Sequence, residues 1–281
     1  MLEEDIIKLY TEQKLGAPAI SKLLNTTNNK VYKTLKQNNI PPRSHREKGK
    51  KSTANDNFFN QINTEEKAYW LGFLYADGYI TKDGKIGCTL ATKDEEHLKK
   101  FQTDIETNYP IRTYTQTKGY APGTLYVRIQ ICSQQLIQDA IKHGLVPNKT
   151  KILTFPATIP QDLLRHFLRG YIDGDGSWKI DKRAHCGYSL AICGTKEFLD
   201  NAAPHLGLSP NKVYRHKNVF SLETTGNDTL RVMHLVYKDA KVFLERKYER
   251  YLHAQSLISE MDIRKITRIA GNSLESRVPI E

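Results

Sequence analysis

The sequence is poor in the features that mark several protein classes. Only four of 281 residues are cysteine (Cys88, Cys132, Cys186 and Cys193), and no two form a C-x-x-C pair. That scatter argues against a zinc ribbon or a disulfide scaffold, and the four read as small apolar fillers of a reduced interior. His185 beside Cys186 lacks the second ligand pair that a zinc site needs. No run approaches the ~18 apolar residues that cross a bilayer. The opening residues, Leu2-Glu3-Glu4-Asp5, are acidic where a signal peptide is basic. Membrane and secreted classes are therefore not expected, and an intracellular, reducing compartment is. Acid is also scarce, 31 Asp and Glu against 42 Lys and Arg, which leaves a formal charge of +11. With 15 tyrosines, that excess of base points to a polyanionic partner, most often nucleic acid. A hydrophobic fraction of 39% still suffices for folded cores, and the length suggests two or three compact units.

The first forty residues carry helical periodicity. Ile6, Ile7, Leu9 and Tyr10 form one apolar set, Gly16 breaks it, and Pro18 opens a second helix with Ile20, Leu23 and Leu24. Asn25-Thr26-Thr27 is a turn with an N-cap candidate, and a third helix carries Val31, Tyr32 and Leu35. The pattern resembles a helix-turn-helix, with Asn28, Asn29, Lys30 and Lys33 on the exposed side of a recognition helix. We assign residues 1–42 to this all-α unit and 43–57 to a basic linker. The linker holds Arg43, Arg46, Lys48, Lys50 and Lys51 with one acid, Glu47. Such an arm suits phosphates or a minor groove.

From residue 58 a pattern appears twice. Tyr69-Trp70-Leu71-Gly72-Phe73-Leu74-Tyr75-Ala76-Asp77-Gly78 returns as Phe167-Leu168-Arg169-Gly170-Tyr171-Ile172-Asp173-Gly174-Asp175-Gly176, at an offset of 98 residues. Alternating segments follow each (Ile86, Cys88, Leu90; Tyr188, Leu190, Ile192), then Thr92-Lys93 or Thr195-Lys196 and a helix, another hairpin and a final helix. The unit is αββαββα, duplicated over 58–158 and 159–260, with 261–281 as a tail. The fold class is α+β with pseudo-two-fold symmetry.

Each repeated helix places small residues four apart, Gly72 with Ala76 and Gly170 with Gly174, so the two helices can meet backbone to backbone. Each ends in Asp-Gly, where glycine is expected in the left-handed position after the helix. Aspartate at a helix C-terminus opposes the macrodipole. Two aspartates brought together there repel unless a hard cation such as Mg²⁺ binds them.

These segments resemble the paired motifs of a single-chain LAGLIDADG homing endonuclease, over about residues 60–255. The resemblance implies that Asp77 and Asp175 bind metal and catalyse, with Ala76 and Gly174 as further metal contacts. It implies Lys149 and Lys247 as basic residues near the scissile phosphate, and Thr92 and Thr195 as polar groups that order water. Tyr75 stands where the family has an acid, which Asp173 keeps, and Trp70 and Arg169 replace small or aliphatic residues. These departures touch packing rather than chemistry. The implied reaction is Mg²⁺- or Mn²⁺-dependent phosphodiester hydrolysis across the minor groove, which leaves short 3′ overhangs.

Base reading falls to the strands. Tyr126, Arg128 and Gln130 alternate with Val127, Ile129 and Ile131, and Arg112, Tyr114 and Gln116 alternate likewise. Lys179, Asp181 and Arg183, then Tyr214, Arg215, His216 and Lys217, are the second-half counterparts. The expected protein is a monomeric, site-specific double-strand DNA endonuclease with a long asymmetric target. A non-catalytic DNA-binding regulator and an RNA-splicing maturase are the alternatives. A splicing intein is not expected, since the sequence starts at Met1 rather than Cys or Ser and ends Val278-Pro279-Ile280-Glu281 without a His-Asn pair.

Overall fold

The computed structural model describes residues 2–41, 52–117, 122–180, 187–217 and 219–255. The chain divides into two compact units, Met1–Thr53 and Ala54–Glu281. The first contains α1 (Leu2–Thr11), α2 (Ala17–Leu23) and α3 (Asn28–Gln37). Acidic Glu3, Glu4 and Asp5 sit in the first turn of α1, where they complement the helix dipole. Pro18 lies in the first turn of α2, and the Thr27 hydroxyl caps α3 by accepting from the Lys30 N–H at 3.2 Å. Ile6, Leu9, Tyr10, Ala17, Ile20, Val31 and Leu35 form this unit's own core. Two residues expected inside are not: Leu23 and Tyr32 are 62% and 50% exposed. Leu24 packs on the core in place of Leu23, and Tyr32 is turned about a quarter of a helical turn away from Val31.

The second unit starts earlier than the expected linker end. The Asn55 N–H donates to the Ile105 carbonyl at 3.1 Å, and Phe58 and Phe59 are buried. Its first half runs α4 (Glu65–Asp77), β1 (Gly78–Ile80), β2 (Ile86–Ala91), α5 (Glu95–Asp104), β3 (Arg112–Thr115), β4 (Leu125–Ile131) and α6 (Gln134–Lys142). The second half repeats this order with α7 (Leu164–Asp175), β5 (Gly176–Ile180), β6 (Tyr188–Gly194), α8 (Lys196–His205), β7 (Val213–His216), β8 (Val219–Thr225) and α9 (Asn227–Tyr237), then adds α10 (Glu245–Gln255). Each half builds an antiparallel four-stranded sheet, of order β1-β2-β4-β3 and β5-β6-β8-β7.

One face of each sheet is apolar and covered by helices. Ile86, Cys88, Leu90, Val127, Ile129 and Ile131 are buried in the first half, and Tyr188, Leu190, Ile192 and Leu222 in the second. They belong to one core that includes the near-continuous buried run Ala68–Ala76 of α4 and most of α7. The architecture is α+β, and α4 packs against α7 at its centre. The cysteine expectation holds only in part. Cys88 is buried, but Cys132 and Cys193 are exposed, the latter because the open phase of β6 runs through Ser189, Ala191 and Cys193. His185 and Cys186 lie outside the described residues, as does the tail from 261. No described helix is long and apolar enough to cross a membrane.

Candidate active site

The site is built where α4 meets α7. A Cβ on Gly72 would stand 1.9 Å from the Phe167 carbonyl oxygen, and one on Gly170 would stand 2.0 Å from the Tyr69 carbonyl oxygen. Side chains cannot occupy those points, so both glycines are what lets the backbones touch. One turn on, a Cβ at Gly174 would lie 2.3 Å from the Ala76 Cβ and 3.3 Å from Asp77 Oδ2. The helix ends that carry Asp77 and Asp175 therefore meet. Each helix passes directly into a strand. Gly78 (φ −79°, ψ 162°) and Gly176 (φ −79°, ψ 142°) are extended, not left-handed as the sequence pattern suggested. Glycine is needed there for room: a Cβ would fall 2.5 Å from the Leu74 and Ile172 carbonyl oxygens respectively.

Asp77 is half-buried and Asp175 open to solvent on one side. Desolvation, then the neighbouring Asp175 charge, pushes the Asp77 carboxyl up to about 6, against the pull of Lys247 and Lys149. Desolvation also raises Asp175, and the same two lysines hold it back. Lys149 opens a short 3-10 turn, Lys149–Lys151, directly after Asn148 in the left-handed region (φ 56°). Its Nζ donates to the Ala76 carbonyl at 2.7 Å. Lys247, in the first turn of α10, is 2% exposed and donates to the carbonyls of Ile172 (2.7 Å), Asp173 (2.7 Å) and Gly176 (2.6 Å), with Gly174 at 3.5 Å. Burial pushes Lys247 down to about 8 and also lowers Lys149. Both ammonium groups thus cap the carboxyl ends of the motif helices, where a cation offsets the dipole that the two aspartates oppose. Of the two further metal contacts implied by the resemblance, Ala76 offers its carbonyl to Lys149, and the Gly174 carbonyl lies 3.5 Å from the Lys247 ammonium. The two lysines are themselves 98 residues apart, the offset of the motifs, and that is the sequence signal for their equivalence.

A buried network behind the aspartates was not anticipated. Asp173 is fully buried and accepts from the Tyr69 hydroxyl (2.7 Å), the Tyr237 hydroxyl (2.5 Å) and the Leu244 N–H (2.8 Å). Burial raises its carboxyl, an effect opposed first by the Lys247 charge. Tyr69 gives its one proton to Asp173, so His97 Nε2, 3.0 Å from that hydroxyl, acts as donor. Arg169, 0% exposed, pairs with Glu65 (2.7 Å) and donates to the Val242 and Val236 carbonyls, both at 2.8 Å. Tyr75, in the place of the missing acid, donates to the His143 carbonyl at 2.5 Å, and Trp70 donates to Asp104 at 2.6 Å.

The open face of the first sheet gathers the expected base readers. Arg112 is in register with Arg128, and Tyr114 with Tyr126. The two rings stack at 5.9 Å, and the Arg128 guanidinium lies 5.0 Å over Tyr114. Gln130 shares this phase, opposite Gly87. Gln116 lies just past β3, where its backbone exchanges hydrogen bonds with Thr124 and Gly123. On the second sheet Lys179 is exposed on β5, Tyr214 pairs with Ser221, and His216 lies 2.9 Å from Glu223. Arg215 pairs with Phe220 and so takes the opposite phase, since four consecutive residues cannot share one face. Lys217 sits in the turn after β7 with φ 51°. Arg183 and Asp181 fall outside the described residues, as do Arg43 and Arg46. Thr92 is exposed at the start of a 3-10 turn. The Thr195 hydroxyl caps α8 and donates to the Leu153 carbonyl at 2.5 Å, which leaves it no proton for water. In the first unit Asn28, Asn29, Lys30 and Lys33 are all exposed on α3, and Asn28 Oδ1 accepts from the Ser21 hydroxyl at 2.6 Å.

No family model matches the chain. In sequence, 180 residues (63% of the chain) are 27% identical to the DNA-directed RNA polymerase subunit Rpo1C of Methanocaldococcus jannaschii, and the chain spans 18% of that protein's length. Among solved structures, it is similar to the homing endonuclease I-WcaI bound to its DNA recognition sequence, with TM-score 0.48 and 16% identity over 67% of this chain and 86% of that one. It is also similar to the LAGLIDADG meganuclease I-AabMI bound to uncleaved DNA, with TM-score 0.45 and 13% identity over 74% of this chain and 98% of that one. A third similar structure is the N-terminal LAGLIDADG domain of DUF199/WhiA, with TM-score 0.42 and 17% identity over 69% of this chain and 93% of that one.

Proposed function

We propose that this chain is a site-specific, divalent-cation-dependent DNA endonuclease that hydrolyses one phosphodiester on each strand across a minor groove. The observation that carries the reading is the meeting of Asp77 and Asp175 at the ends of two helices held in backbone contact by Gly72 and Gly170. Two adjacent carboxylates that both resist ionisation through burial, Asp77 further through the Asp175 charge, fit a hard dication. Among the described residues no group of three or more His, Cys, Asp or Glu surrounds them. The two carboxylates would thus be the protein's acidic share, with phosphate and water oxygens completing the shell. Mg²⁺ or Mn²⁺ held there would polarise the scissile phosphate and lower the pKa of water. Asp77 and Asp175 would hold the ion, one carboxylate per strand, while the lysines fix the helix ends from which they project. Duplex DNA would lie along the open sheet faces, with Arg112, Arg128 and Gln130 against base edges. The exposed α3 residues of the first unit would extend the site on one side, as a helix-turn-helix reader does.

The experiment is selection of cleaved molecules from a randomised duplex library with Mg²⁺ or Mn²⁺, followed by sequencing of the ends. Asp77→Asn and Asp175→Asn should each abolish double-strand cleavage while binding to the selected site survives. Wild-type linearisation of the target by either variant would overturn the assignment. Specific binding by the wild-type protein with no cleavage would favour a DNA-binding regulator.

A further inference from the structure

Although Lys149 and Lys247 occupy equivalent places, their donor geometry is unequal. An ammonium has three N–H donors. Those of Lys247 are committed to the Ile172, Asp173 and Gly176 carbonyls at 2.6–2.7 Å, and its side chain is sealed from solvent. Lys149 is half-exposed, and among the described residues its Nζ makes one hydrogen bond, to the Ala76 carbonyl. Two of its N–H groups therefore remain for an incoming anion.

We propose that the lysine pair has divided its duties: Lys247 is a positioning residue that fixes the end of α7, Lys149 alone donates to a scissile phosphate, and the two strands are consequently cut in order. This rests on the nuclease reading. In each hydrolysis a water oxygen forms a bond to phosphorus as the P–O3′ bond breaks. The water gives up a proton to solvent, and the departing 3′ oxygen gains one. Charge builds on the non-bridging phosphate oxygens, and only the strand beside Lys149 has an ammonium with donors left to meet it. That strand is cut first, and the nicked duplex accumulates before the linear product.

Two measurements test this. First, the metal-free protein is melted: Lys149→Met should melt within a few degrees of wild type, and Lys247→Met should melt far lower, because it strands several buried carbonyls. Second, the selected target is placed in a supercoiled plasmid, each strand is labelled, and nicking is timed with Mg²⁺. Wild type should cut one strand at least tenfold faster. Lys149→Met should slow that first nick by a hundredfold or more and bring the two strand rates together. Lys247→Arg, which keeps the cation, should preserve the order of cutting. Equal strand rates in wild type, or equal melting losses for the two methionine variants, would overturn the proposal. If the wild-type protein cuts no DNA, the nuclease reading and the strand order fall together. The melts then separately support or overturn the positioning role of Lys247.

Discussion

Gly72 and Phe167 are in backbone contact: a single methyl group on the glycine would stand 1.9 Å from the Phe167 carbonyl oxygen. The same relationship holds between Gly170 and Tyr69, which occupy the corresponding positions of the other motif, at 2.0 Å. The obstructing atoms are backbone, which cannot rotate aside. This approach sets how near Asp77 and Asp175 come, so the packing of two helices and the chemistry proposed at their ends are one problem.

Even alanine should be too large at these glycines. We expect Gly72→Ala or Gly170→Ala to cost about 1–3 kcal/mol or more of stability, as overpacked interiors do, and to abolish cleavage through the displaced helix ends. Gly16→Ala, whose Cβ would meet Pro18 Cδ at an ordinary 3.7 Å, serves as the control. Chemical denaturation of the three variants checks the contrast, and a wild-type midpoint for Gly170→Ala would contradict it.

Asp173 should matter through its acceptors. Asparagine at this position turns an N–H₂ group toward at least one of Tyr69, Tyr237 and the Leu244 N–H, and so leaves a buried donor facing a donor. A loss of about 1–3 kcal/mol follows from a buried group left unsatisfied. Tyr237→Phe, which removes one of the three donors, should cost less. Equilibrium unfolding of both variants in the absence of metal gives the comparison.

Two buried histidines should each cost stability on mild acidification, against the opposite contribution of the raised Asp77, Asp173 and Asp175 carboxyls. Burial, then the Lys100, Arg246 and Lys247 charges, pushes His97 down to about 3, and burial with the Arg169 charge pushes His166 down to about 4. In the unfolded chain both take up protons near the ordinary histidine pKa, while in the folded protein they remain neutral. The unfolded state therefore binds more protons as pH drops below ~6.5, and each histidine removes about 1.4 kcal/mol per pH unit until its folded pKa is reached. His97→Phe should remove about 1.4 kcal/mol per pH unit from the slope throughout the range from ~6.5 down to pH 4. Unfolding free energies of wild type and His97→Phe from pH 7 to pH 4 would show it, and parallel profiles for the two proteins would refute it.

Removal of residues 1–53 should leave the second unit folded, since each unit has its own core. The protected footprint on the selected DNA should shorten at one end only. The salt dependence of binding should weaken by about one unit of slope for every phosphate that the first unit no longer neutralises. An unchanged footprint would assign α3 a role other than DNA reading.

Much of this arrangement is legible in local sequence, because helix and strand periods write the faces of an element into it. The alternation Tyr126-Val127-Arg128-Ile129-Gln130-Ile131 sorts β4 into a buried and an open face, and the offset of 98 residues reveals the duplication before any coordinates. Gly72 and Gly170 mark the paired helices because only a residue without Cβ permits such an approach. The periods do not say which distant segments meet. Lys149 reaches the Ala76 carbonyl across 73 residues, and Asp173 collects donors from Tyr69, Tyr237 and Leu244 at separations of 104, 64 and 71. Those partners are set by the path of the chain through the tertiary fold. So are the extended backbone of Gly78, where helix runs straight into strand, and the unequal burial of two lysines that the sequence treats as equals. Local pattern specified the elements and their faces. Close packing of α4, α7 and α10 decided which polar groups were left without water, and therefore which had to find one another.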